Sequence, residues 1–160
     1  MTAQTGRTVS KWTDFRVDDS AGTLRSIPVD SINGVGLTYD ESEVTAFQDA
    51  IKNVLPAHPS CQITITGPFD NTAAQTAGTL SGSHTILNGI AGGNTPLSLD
   101  IQIGMRHAWE AGEPQFGITS TSTVGFLCTS YTVDLSSMKY SATFSVMGGT
   151  APAWGTAAES

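Results

Sequence analysis

The chain has 160 residues with a net charge of −7, seven Lys and Arg against fourteen Asp and Glu, and 13% of its residues are charged against 39% hydrophobic. That length fits one domain, 1–160, able to bury a real core, and the acidic balance without a cationic cluster disfavours tight gripping of nucleic acid, which needs cations to neutralise phosphates. No run of about eighteen apolar residues is present to span a membrane, and Met1 to Ser10 lacks the apolar stretch of a secretion signal, so synthesis and folding in a cytoplasm are expected.

Residues 1–10 read as a polar, Thr-rich arm. A strand is expected from Lys11 to Val17, followed by a turn at Asp18-Asp19-Ser20-Ala21-Gly22, where Asp and Gly suit the backbone. Leu24 to Tyr39 reads as extended, with Pro28 at an edge or bulge. Gly34-Val35-Gly36 lacks the third glycine of a dinucleotide fingerprint and reads as strand glycine at a close backbone approach.

Between Asp40 and Leu55 the apolar period changes. Val44, Phe47, Ile51 and Val54 or Leu55 recur three and four residues apart, and Asp40 stands three before Glu43 like a capping pair, so a short helix is expected, ended by Pro56 and Pro59. Cys61 to Thr66 returns to strand. A second short helix is expected over 83–91, capped by Ser81 or Ser83, with Ile86, Leu87 and Ile90 inward and Gly92-Gly93 as its stop.

Strict two-residue alternation then dominates. Leu97, Leu99, Ile101 and Ile103 form one set; Leu127, Thr129, Tyr131, Val133 and Leu135 a second; Tyr140, Ala142, Phe144 and Val146 a third. Period two sets one face on a core and the other on a polar surface. Residues 105–123 read as an extended hairpin loop, and 150–160 as a C-terminal tail. The class is mainly β: an antiparallel sandwich or barrel with one or two short helices.

Chemistry is sparse. His58, His84 and His107 have no metal-ligand spacing, and Gly78-Thr79-Leu80-Ser81-Gly82 has the wrong spacing for a nucleophile elbow. Glu110 and Glu113 could pair as acid and base but read as solvated loop carboxylates. Cys61 and Cys128 read as buried thiols, with a cross-strand disulfide as the alternative. Trp12, Trp109 and Trp154 read as core or interface anchors. No catalytic residue, metal or cofactor is expected.

Several strings in order resemble the major tail tube proteins of phages with long, noncontractile tails. They are Val44-Thr45-Ala46-Phe47 with Leu55-Pro56, Cys61 to Asp70, Ile86 to Gly93, Gly112 to Gly117, Leu127 to Tyr131, Ser141 to Phe144, and Trp154-Gly155-Thr156. Together they cover roughly 12–156. The resemblance implies a virion structural protein that stacks as hexameric rings into a hollow tube conducting DNA from capsid to host. Its implied partners are copies of itself, the tail terminator, tape measure and distal tail proteins, and phage DNA passing without specific binding, with no membrane. Alternatives are a capsid decoration or head–tail joining protein, or the inner tube of a contractile injection apparatus. Three expectations about sites follow. Val44, Phe47 and Ile51 sit at the ring-to-ring contact, Trp109 and Phe116 reach a neighbour, and Gln62, Thr64, Thr66, Asp100 and Gln102 face the lumen.

Overall fold

The alternation at 61–66, 97–103, 124–135 and 140–148 is realised as antiparallel strands in a computed structural model that describes residues 3–76 and 79–157. After a 3-10 turn at Ser10–Trp12, the strands are β1 (Thr13–Asp18), β2 (Leu24–Ser26), β3 (Ser31–Asn33), β4 (Thr38–Glu43), β5 (Val54–Ser60) and β6 (Gln62–Pro68). Helix α1 (Ser83–Ile90) precedes β7 (Leu99–Ile103), β8 (Pro114–Ile118), β9 (Gly125–Asp134), β10 (Lys139–Met147) and β11 (Ala153–Thr156). The fold is 43% strand and 7% helix, so the mainly-β expectation holds.

Two sheets share one core. The first runs β11-β8-β7-β1-β2, the second β3-β6-β10-β9, and every pairing is antiparallel. Phe15 and Val17 of β1, Leu99 and Ile101 of β7 and Phe116 of β8 pack against Ile63 and Ile65 of β6, Phe126 of β9 and Ala142 and Phe144 of β10. The Phe15 and Phe144 rings meet 5.7 Å apart across that layer. Burying each such side chain stabilises by about 1.5–3 kcal/mol. Helix α1 lays Ile86, Leu87 and Ile90 on the same core, as its spacing predicts. Its N-cap is Gly82, not a serine. Ser83 instead donates to the Pro68 carbonyl at 2.9 Å, and the Ser81 hydroxyl accepts from the Gln75 N–H.

The helix expected over 40–55 is absent. The chain forms a separate two-stranded ribbon of β4 and β5, with residues 44–53 as its tip. An isolated short helix gains its stability by packing an apolar stripe, and every residue from 44 to 53 is exposed, with nothing to pack on. The tip is tied instead by Asp49, which accepts from the Ala46 N–H at 2.8 Å and the Asn53 amide at 2.9 Å. Pro56 and Pro59 sit in β5, which has a ladder on one side only, where a missing N–H is tolerated.

Residues 105–123 are not an extended arm either. They contain β8, which pairs with β7 on one side and β11 on the other. The stretch 150–160 likewise includes β11, with residues 158–160 outside those described. At the other end, the Thr8 hydroxyl donates to the Gly104 carbonyl at 2.6 Å, and Arg106 donates to the Thr5 carbonyl at 2.9 Å. The first and last described residues converge on Gly112: its N–H donates to the Ala157 carbonyl at 2.8 Å, and a side chain there would meet Ala3.

Candidate assembly surfaces

The ribbon gathers more than half of the exposed large apolar side chains among the described residues. Phe47 is 107% exposed, Ile51 74% and Val44 50%, and Tyr39 and Leu55 are open as well. All three residues expected at a ring-to-ring contact therefore lie on this projection, free of the core. The ribbon and tip also hold Asp40, Glu41, Glu43 and Asp49 against one cation, Lys52. Lys52 pairs with Glu43 at 3.5 Å.

The outward face of the four-stranded sheet is a field of small polar groups. Strand register sets Asn33, Thr64, Thr143 and Ser130 in one row, and Ser31, Thr66, Ser141 and Thr132 in the next. Gln62 lies beside Ser145, to which its amide donates at 3.4 Å. The cation of this face, Lys139, sits at the rim and is held by Asp30 at 2.9 Å. Gln62, Thr64 and Thr66 thus share one face.

Asp100 and Gln102 do not join them. Both belong to the other sheet, on the face turned away from the shared core, so the five residues cannot line one surface. Gln102 is buried and donates to Gln115 at 3.0 Å. Asp100 is gripped by Arg16 through two bonds of 2.8 and 2.9 Å. Period two placed these residues on a polar face correctly, but it cannot say which sheet a strand enters.

The two residues expected to reach a neighbour also part company. Phe116 is fully buried in its own core, against Trp154 at 5.1 Å, because β8 is an interior strand. Trp109 is half-buried on the outside of the five-stranded sheet, with the Arg16 guanidinium 5.3 Å from its ring. Beside it opens a groove of about 240 Å³ walled by Trp12, Trp109 and Leu80 and rimmed by Lys11. Asp14 also lines the groove and accepts from Ser26 at 3.2 Å. Burial pushes the Asp14 carboxyl above its ordinary value, against the opposing pull of the Ser26 hydroxyl, the Arg16 charge and the Trp109 side chain.

Glu113 is not a solvated loop carboxylate. It is buried, accepts from the Met105 N–H at 2.7 Å, and faces His107 Nε2 at 3.1 Å. The pair pins the 104–113 loop, which Ala3, Thr5, Thr8 and Ala157 contact. His84 lies 2.9 Å from the Tyr131 hydroxyl and packs on Phe69, and His58 is exposed on β5. Among the described residues, no cluster of three His, Cys, Asp or Glu is placed to hold a metal. Both cysteines are free thiols.

No family model matches the chain, and no curated protein matches it. Solved structures do. The chain is similar to one from the anti-feeding prophage cap, the AFP tube terminating cap, at 14% identity and a TM-score of 0.59, covering 98% of this chain and 96% of that one. It is also similar to a chain from the sheath/tube terminator of an extracellular contractile injection system, PVC, in the extended state. There the identity is 16% and the TM-score 0.51, over 96% of this chain and 99% of that one. At such identities the likeness is one of fold. The neighbours are structural parts of tail-like particles.

Proposed function

We propose that this chain is a non-enzymatic structural protein of a phage-like tail, forming a ring at the end of the tail tube. The observation that carries the reading is the β4–β5 ribbon, which holds Phe47, Ile51 and Val44 in water. Large apolar groups clustered on a projection mark a surface that another subunit covers. The fold likeness to two tube-terminating assemblies supports the place at a tube end over the body of the tube.

The hydroxyl rows support a face that lines the passage. Gln62, Thr64 and Thr66 belong to it, and a surface without free cations lets a polyanion such as DNA slide without counterion release holding it. Stacked hexameric rings forming the tube itself are the second reading, favoured by the same exposed ribbon, since a head-to-tail contact that repeats without closing builds a filament.

Negative-stain microscopy of the purified protein separates the readings. Single rings, or rings that cap preformed tubes, are expected. Long tubes from this chain alone would move it to the tube body, and a protein that stays monomeric at every concentration would overturn both.

A further inference from the structure

Of the seven Lys and Arg, four are engaged in salt bridges: Arg16 with Asp100, Arg25 with Asp19, Lys52 with Glu43 and Lys139 with Asp30. The other three, Arg7, Lys11 and Arg106, have no acidic partner among the described residues, and all three lie exposed on the N-terminal arm or the loop it rests on. Hydrogen bonds hold the arm on this loop: the Gly104 N–H donates to the Trp12 carbonyl at 3.0 Å, the Arg106 N–H to the Thr8 hydroxyl, and the Arg106 guanidinium to the Thr5 carbonyl. Of the three, Lys11 lines the groove of Trp12, Trp109 and Leu80, and its ammonium stands 4.7 Å over the Trp12 ring.

The ribbon is complementary in charge. It offers a fully exposed Phe47 with four carboxylates around it and a single lysine. We infer that the ribbon of one copy docks on the arm of the next, Phe47 entering the Trp12–Trp109–Leu80 groove and the ribbon carboxylates facing Arg7, Lys11 and Arg106. The inference rests on the ring-forming reading above and names the contact that builds the ring. Apolar fill supplies affinity, while opposite charges select the partner surface and speed encounter. The two surfaces are different patches of one chain, so the contact is heterologous and closes into a ring when its rotation closes. Asp14 lines the same groove, so the incoming carboxylates are placed on the arm side, away from it.

A heterologous contact makes a distinctive demand on mixtures. Phe47→Asp destroys the ribbon half and keeps the groove; Arg7→Glu with Lys11→Glu destroys the arm half and keeps the ribbon. Native mass spectrometry should show each variant monomeric, with self-association at least about tenfold weaker than wild type. Their equimolar mixture should form one-to-one pairs that grow no further. Raised salt should weaken wild-type assembly, because the exposed charges are screened. A photo-crosslinking phenylalanine at position 47 of an otherwise wild-type chain should capture the peptides holding Trp12 or Trp109 of another copy, which decides the matter even if a charge variant folds poorly. Normal assembly by either variant, or crosslinks elsewhere, overturns this contact and leaves the ring reading standing. A wild-type chain that never associates overturns both.

Discussion

Arg16 and Asp100 clasp each other across the β1–β7 pair, Nε donating to Oδ1 at 2.8 Å and Nη2 to Oδ2 at 2.9 Å. The side chains are 20% and 14% exposed, and Trp109 lies over the guanidinium, so solvent screens the fork weakly. Two parallel charge-assisted bonds fix geometry as well as charge. Asp100→Asn should cost about 1.5–3 kcal/mol of folding stability, read from the urea midpoint. It should also loosen Trp109, seen as a change in tryptophan fluorescence. An unchanged midpoint would show that the fork adds nothing to stability.

Gly34 has φ +86°, and a side chain there would run into the Gln62 carbonyl of β6. Both the left-handed backbone and the close approach require glycine. Gly34→Ala should destabilise by at least about 2 kcal/mol and loosen the β3–β6 edge from which the ribbon departs. Hydrogen exchange localised to β3 and the base of β4 would confirm the site. Wild-type stability would refute it.

The half-buried Asp14 carboxyl gives stability an opposite slope from ordinary acid unfolding. Its folded value is raised above the unfolded 3.8, so the native state binds the proton more tightly. Between 3.8 and the raised value, stability from this group falls as pH rises. Asp14→Asn mimics the protonated form. The variant should therefore be more stable than wild type at pH 7, with the gain fading as pH drops through the folded value and gone below 3.8. Melting curves across pH test this; a gain that persists at pH 3 would assign it to something other than Asp14's charge.

The two thiols should react on different schedules. Burial pushes Cys128 up to about 11, and it also raises Cys61, which is half-exposed at the edge of a groove of about 560 Å³. Thiolate is the reactive form. Alkylation at pH 8 should label Cys61 slowly and Cys128 in step with unfolding. Fast labelling of Cys128 in the native protein would show that the β9 end of the core opens.

Strand existence was plain in the sequence because Leu99 and Ile101, Ile63 and Ile65, and Tyr140, Ala142 and Phe144 alternate with polar residues and are all buried. The phase of β9 was not. A bulge at Thr129 lets Phe126 and Cys128 face inward before it and Tyr131 and Val133 after it, so the apolar set changes parity mid-strand. The 40–55 segment misled for a related reason. Helical spacing at Val44, Phe47 and Ile51 signals burial against the chain's own core, but these residues are held away from it on a ribbon. Their apolar character was visible; the absence of a partner within the subunit was not. Gln102 is held inside by Gln115, and Glu113 by the Met105 N–H and His107, and a linear reading has no signal for such pairings.

Ala3 and Ala157 both reach Gly112, so the described chain traces a path that nearly returns to its start. A short flexible linker would close that path without disturbing a strand. New ends cut at the exposed tip between Phe47 and Gln48 would then leave both core sheets intact, while dividing the ribbon into two free halves. Such a circular permutant uncouples folding from the projection: the sandwich would form from a rearranged order of the same strands, and whatever joins copies through the ribbon would be lost.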